Sequence, residues 1–278
     1  MSAVTSHQTT PWLEFVYGGT PTMDDPAEIY HESSKLEPSQ VRRQMEGAAR
    51  LEASAELRMS SSRAVKRHGA AVVPLSPPLP LDRALGEALS RRRSRRAFTD
   101  EPIASEALAA LLHAGYGVTG LLGSQDDRPA FPLRSAPSAG ALYPLELYAA
   151  VLRVRGLEPG LYHFDPLAPC LEVLRLRLTG EALARLSTYP DIASSCAVLI
   201  LVAGIFGRTR FKYGLRGYRF ALLEAGHVAQ NIVLAAAALD VASVPLGAFF
   251  DRRTDEFLEL DGVNESALYT IAVGREAA

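Results

Sequence analysis

Cysteine is scarce in this chain, and its scarcity excludes one class of protein. Only two of the 278 residues are cysteines, Cys170 and Cys196, and they lie far apart. Small secreted domains that depend on disulfides carry many more. The N-terminal stretch MSAVTSHQTTPW also lacks the basic start and apolar core of a secretory signal peptide. Together these absences predict a cytoplasmic protein with reduced thiols.

Long apolar runs and an excess of one charge are missing as well. The longest apolar run, CAVLILVAGIF at 196–206, is about half of the roughly 20 residues that a membrane-spanning helix needs. Lys and Arg total 29 and Asp and Glu total 31, which gives a formal net charge of −2. No overall field therefore attracts nucleic acid or an anionic membrane. We expect neither of these as a partner.

Residues 1–80 differ in composition from the rest of the chain. They hold the single Trp, the polar loop GGTPTMDDP and the proline-rich stretch VVPLSPPLP. A weak apolar stripe predicts one helix from Pro38 to Arg58. We predict an N-terminal, partly helical arm at 1–80 and a main domain at 81–278.

The main domain mixes helices and strands without strict alternation. DRALGEALSRR predicts a helix, and Ser105 is expected to cap a second helix that Gly115 would end. Tyr218 to Leu239 predicts a long buried helix, because it is apolar nearly all round. Strands are predicted at LELYAAVLRV, GLYHFDP, CLEVLRL, CAVLILVAGIF and ALYTIAVG. This order favours an α+β fold over a doubly wound sheet.

Two familiar patterns lack the context that their chemistry needs. GYGVTG at 115–120 fits G-x-G-x-x-G, but a dinucleotide site requires a strand before it, and here a helix precedes it. Glu224 and His227 form an E-x-x-H pair, which di-iron bundles combine with further glutamates from neighbouring helices. We interpret Glu224, His227, Gln230 and Asn231 as a polar seam for internal hydrogen bonds or a subunit interface. No metal site is predicted.

Three loops have the composition of a binding site for a phosphorylated aromatic cofactor. SRRRSRRAF at 90–98 places five cations around one Ser, and forked guanidinium donors match phosphate oxygens in pairs. RSAPSAGALYP at 134–144 combines rigid prolines with small residues that let the backbone approach a planar ligand. VPLGAFFD at 244–251 places Gly and Ala beside aromatic residues. The alternatives are a solvated charge run or a nucleic-acid patch for the basic stretch, and ordinary structural turns for the other loops.

Six segments between about Leu85 and Arg275 resemble, in order, those of the SagB-type dehydrogenases, flavin-dependent azoline dehydrogenases of the nitroreductase superfamily. The resemblance implies the α+β nitroreductase-like fold, with a central, mainly antiparallel sheet flanked by helices. It also implies an intertwined homodimer with FMN at the interface. The segments are RRSRRAF, PSAGALYPLELY, GLYHFDP, KYGLRGYRFALLEAGHVAQN, LGAFFD and YTIAVGR.

The resemblance also assigns FMN contacts by position. Contacts to the phosphate and the ribityl chain would come from Arg92, Ser94, Arg96 and, near the C-terminus, Arg275. The residues expected to line the flavin ring or to pack near its reactive edge are Pro137, Ser138, Gly140, Gly247 and Ala248.

A Lys-Tyr pair, Lys212 and Tyr213, matches the position that is associated with azoline oxidation in relatives. Converting an azoline ring to an azole removes a proton from one carbon and a hydride from the next, and the hydride goes to flavin N5. Lys212 would accept the proton in its neutral form, which burial and the neighbouring Arg216 and Arg219 would favour. Tyr213 would orient the ring or relay the proton. Otherwise Lys212 is a surface side chain and Tyr213 an interface aromatic.

These features favour an FMN-dependent dehydrogenase that oxidises thiazoline or oxazoline rings in a peptide natural-product precursor and is reoxidised by dioxygen. Its expected partners are the azoline peptide, a second copy of the chain, and a cyclodehydratase or synthetase. The alternatives on the same fold are an NAD(P)H-dependent nitroreductase, a peptide desaturase, and a non-catalytic scaffold subunit of a modification complex.

Overall fold

The computed structural model describes residues 25–36, 38, 46–123 and 130–277. The chain forms two compact units, Met1–Gln44 and Met45–Ala278. In the first unit, helix α1 (Pro26–Ser33) begins after Asp25, whose side chain accepts a hydrogen bond from Ala27 N at 2.7 Å. The second unit contains all the other described elements, including residues 46–80 of the predicted arm.

Helices in the second unit surround a central sheet. They are α2 (Glu46–Ala53), α3 (Ala55–Ser62), α4 (Leu85–Arg91), α5 (Ser105–Tyr116), α6 (Gly180–Ala184), α7 (Pro190–Ser195), α8 (Gly207–Tyr213), α9 (Leu215–Ala238) and α10 (Asp251–Leu258). The single helix predicted from Pro38 is two helices, because Ser54 has extended backbone and caps α3 by accepting from Leu57 N. The 39–45 part of that prediction lies outside the described residues.

The strands form one large sheet and one small hairpin. They are β1 (Val72–Pro74), β2 (Val118–Leu122), β3 (Phe131–Arg134), β4 (Leu145–Val151), β5 (Gly160–Asp165), β6 (Cys170–Leu176), β7 (Val198–Ile205), β8 (Ala242–Leu246) and β9 (Glu265–Gly274). Seven of them pair in the order β1-β6-β5-β4-β7-β9-β8, and every described pair is antiparallel. Strands β2 and β3 pair only with each other. The predicted mainly antiparallel α+β fold is confirmed.

Alternating side chains of the central strands pack into two apolar cores, one on each face of the sheet. In β4, Leu145, Leu147 and Ala149 join the core that contains α5 and α9. Tyr148 and Ala150 point the other way, into the core that contains α6, α7 and α10. Strand β7 is buried along nearly its whole length, as its unbroken apolar sequence predicted. The sheet is therefore covered on both faces.

Helix α9 packs closely on α5. A Cβ built on Gly115 would lie 2.8 Å from Ile232 Cγ1, so Gly115 is a contact position inside α5. The expectation that Gly115 ends the helix is wrong, because α5 continues to Tyr116 and is capped by Gly117. Ser105 is the first helical residue and not the cap, which is Ala104. The sequence signals were correct in kind and shifted by one or two residues.

Among the described helices, α9 is long and apolar enough to cross a membrane by length and composition. Half of its most apolar window is buried inside the fold. Its Ala221, Ala225, Val228 and Ile232 side chains are almost fully buried. Helix α9 has the packing of a core helix.

Candidate functional site

Lys212 and Tyr213 meet the Gly140 turn. A Cβ built on Gly140 would lie 2.7 Å from Tyr213 Oη and 2.9 Å from Lys212 Nζ. The Lys212 Nζ atom lies 5.1 Å from the centroid of the Tyr213 ring, and both side chains are half-buried. Segments 72 residues apart in the sequence thus place an amine and a phenol against one exposed glycine. This convergence defines the candidate site.

A sharp corner turns the chain immediately after this pair. Gly214 has φ 56° and ψ −136°, a region that residues with a Cβ avoid. The corner ends α8 at Tyr213 and starts α9 at Leu215. The Tyr213 ring then meets the Phe220 ring edge-on, with centroids 5.1 Å apart. Gly214 therefore fixes the end of α8 that carries the amine and the phenol.

The turn around Gly140 has an unusual backbone. Gly140 has φ 65°, and the non-glycine residues Ala141 and Tyr143 also have positive φ, 52° and 45°. Such angles are uncommon for residues with a Cβ and persist only where the surroundings enforce them. Here Tyr143 N donates to Ser138 Oγ at 2.9 Å, and Arg208 Nη1 donates to Tyr143 O at 3.2 Å. The turn is held in shape from both sides.

A buried polar cluster lies next to this turn. The Tyr116 hydroxyl donates to Glu224 Oε1 at 2.5 Å and accepts from Leu145 N at 3.2 Å. The Arg134 guanidinium carbon lies 4.5 Å from the centroids of both the Tyr116 and Tyr143 rings. This cation–π arrangement stabilises a charge that is only 6% exposed. The cluster connects α5, α9 and the Gly140 turn.

Burial raises the pKa of Glu224 to about 7, against the opposing effects of the nearby Ser138 and Tyr116 hydroxyls and the Arg134 charge. The carboxyl is 2% exposed. The prediction of a polar seam that makes internal hydrogen bonds is confirmed for Glu224. His227 and Gln230, on the same helix, are exposed.

We expect Glu224→Gln to change how stability depends on pH. The folded-state pKa lies above the unfolded value near 4.5, so the wild type loses stability as pH rises from about 4.5 through about 7. Gln mimics the protonated acid and removes this loss. Thermal unfolding should give similar melting temperatures at pH 5, and at pH 8 the variant should be the more stable by about 3 kcal/mol. If the stabilities of wild type and variant change in parallel between pH 5 and pH 8, the raised pKa of Glu224 is contradicted.

The basic turn at 91–96 borders a small cleft beside α9. Four arginines, Arg91, Arg92, Arg93 and Arg95, line a cavity of about 120 Å³ together with Ser243 and Glu276. Arg91 forms ion pairs with Glu87 and Asp240, and Arg95 with Glu276. The half-buried Arg92 also faces this cavity, which has the donors that a phosphate group requires.

The other predicted phosphate contacts are placed differently. Among the described residues, the cavity walls include Arg92 but not Ser94, Arg96 or Arg275. Ser94 forms a parallel bridge with Ser243, which does line the cavity, while Arg96 is exposed. Arg275 follows β9 and is half-buried, and its Nε has no hydrogen-bond partner within the described part of the chain. Of the four predicted phosphate contacts, Arg92 is thus the one that lines the cleft within the described part of the chain.

Gly247 and Ala248 follow the end of β8 that lies away from the arginine cleft. Both are exposed, and a Cβ built on Gly247 would meet no atom within 4 Å. Ala248 O accepts a hydrogen bond from Thr188 Oγ1 at 2.9 Å. Pro137 is exposed and Ser138 is half-buried, both in the segment that leads to Gly140. All four of these residues are therefore exposed or half-buried, while Gly140, the fifth predicted ring contact, meets the Lys-Tyr pair.

Sequence reasoning did not find a second buried charge cluster. His163, in the middle of β5, has Nε2 2.8 Å from Glu146 Oε2 and Nδ1 2.9 Å from Glu172 Oε2. Each ring nitrogen of His163 therefore lies within hydrogen-bond distance of a buried carboxyl group. Burial alone would raise the pKa of Glu146, but the hydrogen bond from His163 and the charge of Arg208 hold it below its usual value.

Potential metal ligands also occur in this second cluster. His68, His163 and Glu172 have ligand atoms within 4.8 Å of one another. Both His163 ring nitrogens already have carboxylate oxygens as hydrogen-bond partners, Glu172 at Nδ1 and Glu146 at Nε2. Tyr148 and His163 are ring neighbours, with centroids 5.1 Å apart. The cluster is best described as an internal ion network.

A larger cavity of about 560 Å³ lies between the residues that follow β1, helix α5 and the β2–β3 hairpin. Its walls are mostly apolar and rich in proline. None of the residues predicted for the site is among the described residues that line it. They are Arg63, Leu75, Ser76, Pro77, Pro78, Ala109, His113, Val118, Leu121, Pro132, Phe164, Pro166, Leu167 and Pro169. The cavity is thus separate from the candidate site.

Comparison with protein families gives a match over most of the second unit. The model described as "Nitroreductase family" matches residues 89–275. A protein of Methanocaldococcus jannaschii named as a nitroreductase, MJ1384, is 34% identical over 192 residues, which are 69% of this chain and 91% of that protein. The structure of a nitroreductase-like protein from Ralstonia eutropha superposes with a TM-score of 0.62 at 26% identity, over 78% of this chain and 94% of that one.

Peptide-processing proteins are also similar to this chain. The microcin B17-processing protein McbC of Escherichia coli is 32% identical over 133 residues, which are 46% of this chain. The chain matches about half (49%) of the length of McbC. A chain of the E. coli microcin synthetase McbBCD complex with truncated pro-MccB17 bound shares the fold, with a TM-score of 0.56 at 21% identity. That likeness covers 98% of this chain and 96% of that one.

Proposed function

The chain belongs to the nitroreductase family of FMN-dependent oxidoreductases, and from this premise we propose that it is an azoline dehydrogenase acting on a peptide precursor. The observation that carries the proposal is the convergence of Lys212 Nζ and Tyr213 Oη on Gly140. Oxidation of an azoline ring needs a proton acceptor beside a hydride acceptor. The similarity to McbC supports a peptide as the substrate.

The described residues fit FMN as the cofactor. Arg92 and the small cavity beside it offer forked donors for a phosphate, and the unpaired Arg275 Nε leaves donor capacity near the chain end. Ser94 and Arg96 would add contacts to the phosphate and the ribityl chain. Pro137, Ser138 and Gly140 would line the flavin ring, and Gly247 with Ala248 would pack near its reactive edge. A side chain at Gly140 would collide with the Lys-Tyr pair.

FMN, when bound, supplies the acceptor for the hydride that leaves the ring and passes the electrons to dioxygen. The chain supplies the proton chemistry. Lys212 Nζ in its neutral form takes the proton from the ring carbon next to the one that loses the hydride. The Tyr213 hydroxyl, on the same side of the turn, orients the ring by a hydrogen bond. The rigid Gly140 turn fixes the distance between the pair and the substrate.

An intertwined homodimer fits the surface of α9. Leu215, Leu222 and Leu223 are 45%, 41% and 56% exposed and lie on one face of that helix. Leu85 and Leu89 of α4 add exposed apolar area, at 67% and 51%. Exposed apolar surface on a core helix and its neighbour is a feature of protein interfaces. A second copy would cover it, while a cyclodehydratase or synthetase would deliver the peptide in the cytoplasm.

A second candidate function is an NAD(P)H-dependent nitroreductase. The observation that favours it is the match to MJ1384, which spans nearly all of that protein. The two functions share the cofactor and differ in the electron donor. The donor is a nicotinamide in one case and the azoline ring itself in the other.

The visible absorption spectrum of the purified full-length chain separates these functions. We expect a bound-flavin spectrum that persists when NADPH is added anaerobically and bleaches when a thiazoline-containing peptide is added. Bleaching by NADPH and not by the peptide would establish the nitroreductase alternative. A preparation that binds no flavin after incubation with FMN would refute both and favour a scaffold subunit.

A further inference from the structure

Helix α2 packs directly against α8, the helix that carries Lys212 and Tyr213. The contact is made by Gly47, which is buried. A Cβ built on Gly47 would lie 1.8 Å from Phe211 O and 2.8 Å from Lys212 Cα. Both are backbone atoms, which cannot rotate away as a flexible side chain can. Only glycine allows α2 and α8 to approach this closely.

The opposite side of α8 is held in the same way. A Cβ built on Gly217 of α9 would lie 2.7 Å from Thr209 O and 2.8 Å from Arg210 Cα. Thr209 is fully buried, and its Oγ1 donates to Gly217 O at 2.9 Å. Helix α8 is therefore enclosed between two glycine contacts, one from α2 and one from α9. Its Lys-Tyr end faces the third glycine, Gly140.

The segment that contains α2 is anchored to the main fold at its other end. Arg63 Nη2 donates to Ala130 O at 3.1 Å, and Ala64 O accepts from Arg134 Nη2 at 3.1 Å. Lys66 N donates to Glu146 Oε1 at 2.7 Å. Within the segment, an Arg58 guanidinium nitrogen donates to Glu52 O, which joins α3 to α2. Residues 46–66 thus extend from α8 to both buried polar clusters.

We propose that α2, through Gly47, is a positioning element that fixes Lys212 and Tyr213 against the Gly140 turn. Gly47 lies outside residues 89–275, the part of the chain that the nitroreductase family model matches. The positioning element therefore adds to the shared family core a support for the two groups that handle the proton. This inference rests on the proposed function of Lys212 and Tyr213. Gly47 itself touches neither substrate nor cofactor.

The expected consequence of widening this contact is a loss of turnover without a loss of flavin. An added methyl group at Gly47 must move α8 or α2 by about 1 Å, and misplacement of catalytic groups by that amount costs on the order of 100-fold in rate. The arginine cleft that would hold the phosphate lies beside α4 and α9, away from α2. Flavin content should therefore stay at the wild-type level.

The test compares Gly47→Ala with Gly120→Ala in the full-length protein. Gly120→Ala in the β2–β3 hairpin is a cleaner control than Gly86→Ala, because Gly86 lies in α4, which also carries the proposed dimer surface. A Cβ built at either glycine meets no atom within 4 Å. We expect Gly47→Ala to lower kcat for a thiazoline peptide by about 10- to 100-fold, with KM changed less than threefold. Hydrogen–deuterium exchange of amides 207–214 should become faster in this variant. Gly120→Ala should match the wild type in both measurements.

A second variant covers the case in which Gly47→Ala does not fold. Leu51, the buried apolar residue of α2, is 5% exposed, and Leu51→Ala loosens the packing of the helix without adding a clash. It should show the same faster exchange at 207–214 and a smaller loss of kcat. Wild-type exchange and kcat in these variants would overturn the inference. If exchange changes as expected while the wild-type protein oxidises no azoline peptide, the proposed function fails and the positioning role stands.

Discussion

Lys212→Ala should lower the rate of azole formation by about 100- to 10,000-fold while the protein keeps its flavin. The range is the usual contribution of a general base. Lys212 Nζ and Tyr213 Oη are both within 3 Å of the Cβ position at Gly140, so the substitution removes the amine and leaves the turn intact. Rates are best measured by mass spectrometry of a thiazoline peptide, which loses two hydrogens on oxidation.

Two matched variants test whether Lys212 acts by accepting a proton or by its positive charge. Lys212→Arg keeps the positive charge, but a guanidinium cannot be deprotonated in a protein, so this variant should be as inactive as Lys212→Ala. Lys35→Ala removes an exposed lysine that pairs with Glu32 and should leave the rate unchanged. Tyr213→Phe should cause a smaller loss than Lys212→Ala if the phenol only orients the ring. Substantial activity in Lys212→Arg would show that the amine acts by its charge and not as a base.

The largest expected effect on stability is that of His163→Leu. The substitution leaves Glu146 and Glu172, which are 2% and 5% exposed, without the imidazole that contacts both, although Glu146 keeps its ion pair with Arg208. Removing one member of a buried charged network costs about 3–5 kcal/mol. Chemical denaturation at pH 7 should show this loss. The control His227→Leu, on the exposed face of α9, should change stability by less than about 0.5 kcal/mol.

The pH dependence of this variant provides an independent check. In the wild type the pKa of Glu146 is lowered, so this carboxyl contributes stability that is lost as pH falls through its folded-state pKa. Without the hydrogen bond from His163, burial raises the pKa of Glu146 relative to the wild type, so the variant loses less stability as pH falls. The difference between wild type and variant should therefore shrink between pH 7 and pH 4. A constant difference would mean that His163 contributes packing and not charge.

The course of the main chain was largely predictable from local patterns. Five strands and the long helix α9 appear where alternation or continuous apolarity placed them, because these patterns report directly on which faces are buried. Helix ends were less predictable. Ser105 and Gly115 have the right chemistry for a cap and a stop, but the neighbouring Ala104 and Gly117 take those places. Local signals compete over a range of one or two residues, and tertiary packing decides between them.

The charge clusters could not be predicted, for a different reason. His163 reads as one polar residue within GLYHFDP, and its partners Glu146 and Glu172 lie on the two neighbouring strands. Only the register of β4, β5 and β6 brings them together, and register depends on the whole sheet. The Glu224 cluster is similar, because Tyr116 is 108 residues away. A polar residue at a buried-looking position was the signal available in each case.

In the loops of the candidate site, some contacts were predicted from the sequence and others were not. Lys212, Tyr213 and Gly140 were singled out by their resemblance to a family, and the structure brings them into contact. In the basic turn, composition alone could not say which arginine faces the cleft. Arg91 and Arg95 form ion pairs with acidic neighbours at its walls. Arg92 is the predicted contact that lines it.

The glycine contacts on either side of α8 bear on how freely this protein can change during evolution. At Gly47 and Gly217 the atoms that a side chain would meet are backbone atoms of α8. We therefore expect substitutions at these two glycines to displace Lys212 more than conservative exchanges among the side chains of the two cores. A laboratory library that varies the cores and leaves these two glycines unchanged should keep Lys212 and Tyr213 in contact with the Gly140 turn.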